Sequence, residues 1–279
     1  MEKPNVVHRL RLKVRARRAL RRALPFVASL FLATPLASPV SSTQAKTPTV
    51  AARMPSVKEF EAMTFSNGVR ELYQELGVAK SGLRYEVFEK AYTGFLNLKA
   101  QGQLDQDRNL LTVVDFEKPS TEKRLWVLDL ADRKVLFNTL VAHGHNSGEN
   151  VATTFSNENE SNMSSLGFYV TQGDYYGKHG RSLKLQGVDE GYNDRAMERA
   201  VVMHGAEYVS EEFIRQYGRL GRSLGCPALP MDQYAEIIDA VQNQTCLFLN
   251  GPDTTYESEF LNTDMAAHQF VAEANDQSA

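Results

Sequence analysis

The hydrophobic pattern changes period along the chain. Val69, Leu72, Tyr73 and Leu76 recur at helical spacing behind Ser66, and Gly77 follows them, which predicts a short capped helix. Ser81 precedes a longer helical run of Leu83, Val87, Phe88, Ala91, Tyr92, Phe95 and Leu98, closed by Gly102. From Asn109 onward the apolar residues fall into short blocks. Residues 110–116 and 123–130 read as strands separated by Lys118-Pro119-Ser120, and 134–141 as a third strand beyond Ala131-Asp132-Arg133. Residues 142–193 are dense in Gly, Ser and Asn, with strand-like pieces at 167–172 and 182–186. An apolar run at 200–203 ends on His204. Residues 210–217 and 232–242 read as short helices and 245–249 as a last strand. From Thr263 no period is sustained, which predicts a flexible C-terminal tail. Short strands with irregular connections predict an α+β chain, mainly β: a small β-sandwich or open barrel preceded by a short helical region.

Composition adds a boundary. The chain has 279 residues, 42% of them hydrophobic, enough for one sizeable core plus an appendage. Its formal charge of −3 conceals an asymmetry. Residues 1–45 hold nine Lys/Arg against Glu2 alone, leaving 22 basic and 33 acidic residues beyond, a net of −11. So acidic a remainder excludes nucleic acid as partner, since phosphate binding needs clustered Lys and Arg. The basic start is followed by a short apolar run at 23–33 and by small polar residues at 34–45. That order is the pattern of a secretory signal peptide, with transient membrane contact through the same segment. The expected organisation is a signal peptide at 1–45, a Pro/Thr/Ala linker at 46–56, a helical region at 57–106, a mainly β domain at 107–262, and the tail at 263–279.

The chemistry concentrates between His204 and Cys226, 22 residues apart. A thiol follows Ser223-Leu224-Gly225, with Arg222 just upstream, and a histidine followed by Gly205 ends an apolar strand. A thiol needs a base to become a thiolate near neutral pH, and imidazole is matched to that task. The bland alternative makes Cys226 a small buried hydrophobe and His204 a satisfied strand-end histidine. Cys246 sits in an apolar strand pattern and reads as core, with a Cys226–Cys246 disulfide as the competing assignment. His143-x-His145, with His204 or His179, opens a metallohydrolase alternative, although the spacing matches no compact zinc signature. Tyr169, with Tyr175 and Tyr176, is a candidate to line a groove.

These residues resemble the signature of the L,D-transpeptidase (YkuD-like) catalytic domain: a histidine before glycine, an interval, then Ser-His-Gly-Cys. Here Ser223, Gly225 and Cys226 match, Leu224 replaces the second histidine, and Pro227-Ala228-Leu229 replaces the residues that usually follow. The departures are similar to a divergent murein branch, in which Val141-Ala142-His143-Gly144, Gly167-Phe168-Tyr169 and Gly218-Arg219-Leu220-Gly221-Arg222-Ser223 have counterparts. The resemblance covers about residues 110–252. It implies an L,D-transpeptidase-like catalytic domain at 107–262 acting on peptidoglycan stem peptides through a Cys226 thioester without a cofactor. In that picture His204 is the base, its tautomer held by the Gly205 carbonyl, and backbone N–H groups of Ser223-Leu224-Gly225-Cys226 receive the oxyanion. Arg222, Tyr169 and His143 would line the substrate. Water as acceptor would make an L,D-carboxypeptidase, and a wall-binding module without turnover is the non-enzymatic alternative.

Overall fold

The computed structural model describes residues 54–276; the expected signal peptide and most of the linker lie outside them. Helix α1 spans Val57–Leu76 and begins earlier than its apolar period predicts. A capping box sets the start: the Glu59 N–H donates to Ser56 Oγ (3.3 Å) and the Ser56 N–H to Glu59 Oε2 (2.6 Å). The periodicity does not show the first turns because Val57, Phe60 and Met63 are exposed there, while Phe65, Val69, Leu72 and Leu76 face the core. Ser66 is therefore mid-helix. Ser81 does not cap the second helix either. It ends a 3-10 turn at Val78–Ser81 and accepts a hydrogen bond from Trp126 Nε1 at 2.9 Å. Helix α2 starts afterwards and runs Tyr85–Ala100.

Eight strands form one mixed sheet among the described residues: β1 Leu110–Asp115, β2 Leu125–Asp129, β3 Lys134–Thr139, β4 Gly167–Gly177, β5 Gly180–Gly187, β6 Val202–Gly205, β7 Ala228–Leu229 and β8 Cys246–Asn250. Their order is β3-β2-β1-β8-β4-β5-β6-β7, with β1/β8 and β6/β7 parallel and the other pairs antiparallel. The chain leaving β3 bridges β7 through Ala142 and Ala228, so the two sheet edges are drawn together and the barrel is nearly closed. Helix α3 (Glu211–Tyr217) follows β6, α4 (Tyr234–Val241) precedes β8, and α5 (Thr263–Asp276) ends the described chain.

The strands carry apolar residues on both faces, and successive residues serve different cores. Leu111, Val113, Trp126, Phe168, Val170 and Phe248 pack outward under α1, α2 and α5. Val114, Val127, Tyr169, Leu183, Met203, Leu247 and Leu249 pack inward with Ile237, Ile238 and Val241 of α4. Burial on both faces explains why the sequence shows continuous apolar blocks instead of strict alternation.

The expected flexible tail is in fact α5. Its apolar contribution is small, Ala266, Ala267 and Phe270, so no long period announces it. Phe270 stacks edge-on against Phe65 at 5.8 Å between centroids. Gly68 makes that possible, because a Cβ there would fall 2.2 Å from the Phe270 ring. Buried Asn97 donates to the carbonyls of Phe260 (2.7 Å) and Asn262 (2.9 Å), tying the approach to α5 onto α2.

Candidate active site

Strand β6 presents His204 one residue from its end, with the side chain buried. Its Nδ1 lies 2.9 Å from the Gly205 carbonyl oxygen. A carbonyl only accepts, so Nδ1 carries the proton and Nε2 keeps its lone pair. Burial pushes the imidazole below its ordinary pKa; the Gly205 carbonyl opposes that change and nearby His179 adds to it.

Parallel pairing of β6 with β7 sets His204 opposite Ala228, which brings Cys226 level with Val202. The Cys226 backbone is thus one strand repeat, roughly 7 Å along the sheet, from the residue opposite His204. Its Sγ accepts from the Val202 N–H at 3.4 Å and approaches the Ala200 carbonyl at 3.9 Å. Ala200 itself has φ 53°, a left-handed conformation uncommon for a residue with a side chain and frequent at functional sites. Burial raises the thiol's pKa, while the Val202 N–H and the charge of Arg199 lower it. The resting pair is a neutral thiol and a neutral imidazole. Both cysteines are free, which removes the Cys226–Cys246 disulfide, and Cys246 is buried in β8 as the strand pattern predicts.

The cysteine loop is braced from within and from behind. Ser223 Oγ donates to the Cys226 carbonyl (2.6 Å) and accepts from the Gly225 N–H (3.1 Å). The Ser223 N–H goes to the His143 carbonyl at 3.0 Å. Of the four N–H groups expected to receive an oxyanion, those of Ser223 and Gly225 are therefore engaged, and those of Leu224 and Cys226 have no hydrogen-bond partner among the described residues. Gly225 has φ +123°, and a Cβ there would stand 2.8 Å from the Met163 carbonyl oxygen. Gly225→Ala must displace the thiol or the facing loop. We expect at least a tenfold loss of Cys226 acylation and about 1–3 kcal/mol of stability, read from adduct formation and thermal melts.

Arg199 holds that facing loop, and nothing in its sequence context marks it. It donates to the carbonyls of Ser156 (2.8 Å) and Met163 (2.8 Å), to Ser161 Oγ (3.1 Å) and to Ser165 Oγ. Half-buried, it is also a cation whose field reaches the thiol.

Three residues expected to line the substrate do other work. Tyr169 is fully buried in the inner core and donates to the Ser165 carbonyl at 3.0 Å. His143 is fully buried, with Nδ1 accepting from Arg124 Nη2 (2.7 Å) and Nε2–H donating to the Gly148 carbonyl (3.2 Å). Burial, then the Arg124 charge, depresses its pKa to about 4. Both nitrogens are occupied, so His143 is neither a second base nor a metal ligand in this arrangement, and His145 lies exposed beyond it. Arg222 braces the adjacent turn, reaching the Gly148 carbonyl (3.0 Å) and Glu149 (2.9 Å). Leu224 is 72% exposed and offers the site no polar side chain.

The fold sets an imidazole on β6 and a thiol in the loop that enters its parallel neighbour β7, in a mixed, nearly closed sheet. The family model of the L,D-transpeptidase catalytic domain matches residues 79–250, and the chain belongs to that family. A comparison with curated proteins finds no match. Among solved structures, the chain is similar to an L,D-transpeptidase from Mycobacterium smegmatis at 13% identity and TM-score 0.32, over 52% of this chain and 59% of that one. It is also similar to an L,D-transpeptidase from Xylanimonas cellulosilytica, at 14% identity and TM-score 0.32, over 66% of this chain and 93% of that one. The helical cell shape determining protein Pgp2 from Campylobacter jejuni aligns at 13% identity and TM-score 0.36, over 65% of this chain and 64% of that one. The chain thus spans less than two thirds of the mycobacterial and Campylobacter proteins.

Proposed function

We propose that this chain is an exported L,D-transpeptidase that cross-links or remodels peptidoglycan through a Cys226 acyl-enzyme. The observation that carries this reading is a free, partly exposed thiol at Cys226, level with Val202 of the strand that bears an imidazole whose Nδ1 is already committed to Gly205, leaving Nε2 as acceptor. A turn of Cys226 about χ1, or one water, brings its proton to His204 Nε2, since catalytic hydrogen bonds are often loose before substrate binds. The thiolate then attacks the carbonyl at the L-centre of the third residue of a stem tetrapeptide. Negative charge gathers on the carbonyl oxygen, against the N–H groups of Cys226 and Leu224. Collapse breaks the bond to the terminal D-Ala, whose amine leaves with the proton held by His204. An amine of a second stem, giving its proton to Nε2, attacks the thioester and releases the thiol. Water in its place would give the free tripeptide, the carboxypeptidase outcome.

Incubation with a carbapenem followed by intact-mass analysis tests the reading. The wild-type chain should gain one adduct, Cys226→Ser should gain none, and Cys246→Ala should still gain it. Loss confined to the Cys246 variant overturns the assignment. Export rests on the zoned N-terminus at 1–45. Mature protein starting near Lys46 is the expected product, and cytosolic protein still beginning at Met1 would refute it.

A further inference from the structure

The β4–β5 hairpin brings a second imidazole onto the site. Gly177 pairs with Gly180, so its loop is Lys178-His179, and two residues beyond Gly180 the strand pairs Ser182 with His204. The hairpin tip therefore folds back along the end of β6. There the His179 ring lies on the His204 ring, with centroids 4.6 Å apart and planes inclined by 24°. The hairpin is anchored at this point. Arg181 is held between Asp174 (2.6 Å) and Asp239 of α4 (2.7 Å), and also approaches the Ala235 carbonyl at 3.4 Å. Leu224 leaves the cysteine loop without an imidazole of its own.

We propose that His179 is a positioning residue for the base: its ring closes the solvent face of His204 and keeps that imidazole neutral and oriented for proton transfer. The proposal rests on His204 being the base. Two physical effects carry it. A single hydrogen bond to Gly205 leaves the His204 ring one axis of freedom, and a flat ring stacked on it restricts that motion. Covering the ring also removes water that would stabilise an imidazolium, and any proton on His179 adds a like charge beside it. The surrounding charges do not reverse this. On the hairpin, Lys178 is a cation and Arg181 is matched by Asp174 and Asp239. From the cysteine loop comes the neutral Cys226 thiol, and after β6 comes Tyr208, whose phenol burial pushes up to about 12. Among the described residues no carboxylate acts on His204.

Imidazole NMR titration of the folded protein reads the effect without any substrate. In His179→Ala, His204 should titrate higher, toward the ordinary value near 6.5. The acid limb of Cys226 acylation should move with it. Acylation at pH 5.5 should fall by up to about fivefold when the His204 midpoint rises by one pH unit to near 6.5, and should fall less at pH 8. His179→Phe keeps the stacked ring and should restore most of the loss. An unmoved His204 titration in His179→Ala overturns the proposal, as does a His179→Phe variant as impaired as the alanine. If His204 titrates as expected but the wild-type chain forms no carbapenem adduct, the transpeptidase reading fails and the positioning role stands.

Discussion

Replacing His204 with alanine is expected to slow acylation of Cys226 by roughly 10²–10⁴-fold, the range for removing a general base. The size follows from the resting state of the pair. Burial raises the thiol's pKa and lowers that of the imidazole, so no preformed thiolate waits for substrate. The proton must be taken during attack, and Nε2 of His204 is the acceptor the fold leaves open. The wild-type rate should rise with pH through the depressed His204 pKa and then level; in His204→Ala that acid limb should vanish. His143→Ala should leave the limb in place, because the His143 imidazole is sealed between Arg124 and Gly148. A His204→Ala enzyme of near-normal rate, beside a His143→Ala enzyme that is dead yet folded, would reverse the assignment.

His143 should instead dominate how stability depends on acidity. In the fold its pKa is depressed to about 4, from an ordinary 6.5, by burial and by the Arg124 charge. The unfolded chain accepts a proton as pH falls through 6.5, whereas the folded chain cannot until about pH 4. The contribution is fully present above pH 6.5 and drains away between there and pH 4, about 3 kcal/mol in all. Urea unfolding at pH 7.5 and 4.5, in wild type and His143→Gln, measures it. Glutamine can accept from Arg124 and donate to Gly148 without titrating, so the variant should lose less stability on acidification. Parallel losses in the two proteins would remove His143 as the cause.

Much of this architecture is legible in the sequence because its strands are apolar blocks bounded by turn residues. Seven of the eight strands fall on or beside such blocks, the two-residue β7 being the exception, and the thiol and the imidazole stand at positions glycine marks in the sequence. Most of what is not legible comes from contacts between segments distant in the chain. Arg199 looks like any surface arginine until loop 156–165 closes around it. Tyr169 and His143 look like groove residues because tyrosine and histidine often are, and only the inner core and Arg124 show them buried. His179 sits in a polar hairpin loop, and its closeness to His204 comes from strand register. Helix α5 offers too few large apolar residues to announce itself, and Gly68 gives no sign that it exists to admit Phe270.

The strand order has a consequence for the birth of the molecule. Strand β8, the partner that joins β1 to β4, is made of residues 246–250. Until that stretch is available, the β1–β3 meander and the β4–β7 portion lack their joining strand and are left with the short bridge of Ala142 to Ala228. A chain emerging from its N-terminus, from a ribosome or through a narrow channel, cannot complete the sheet before residues 246–250 arrive. Under the export proposed above, such late closure would leave the sheet incomplete until most of the chain has crossed.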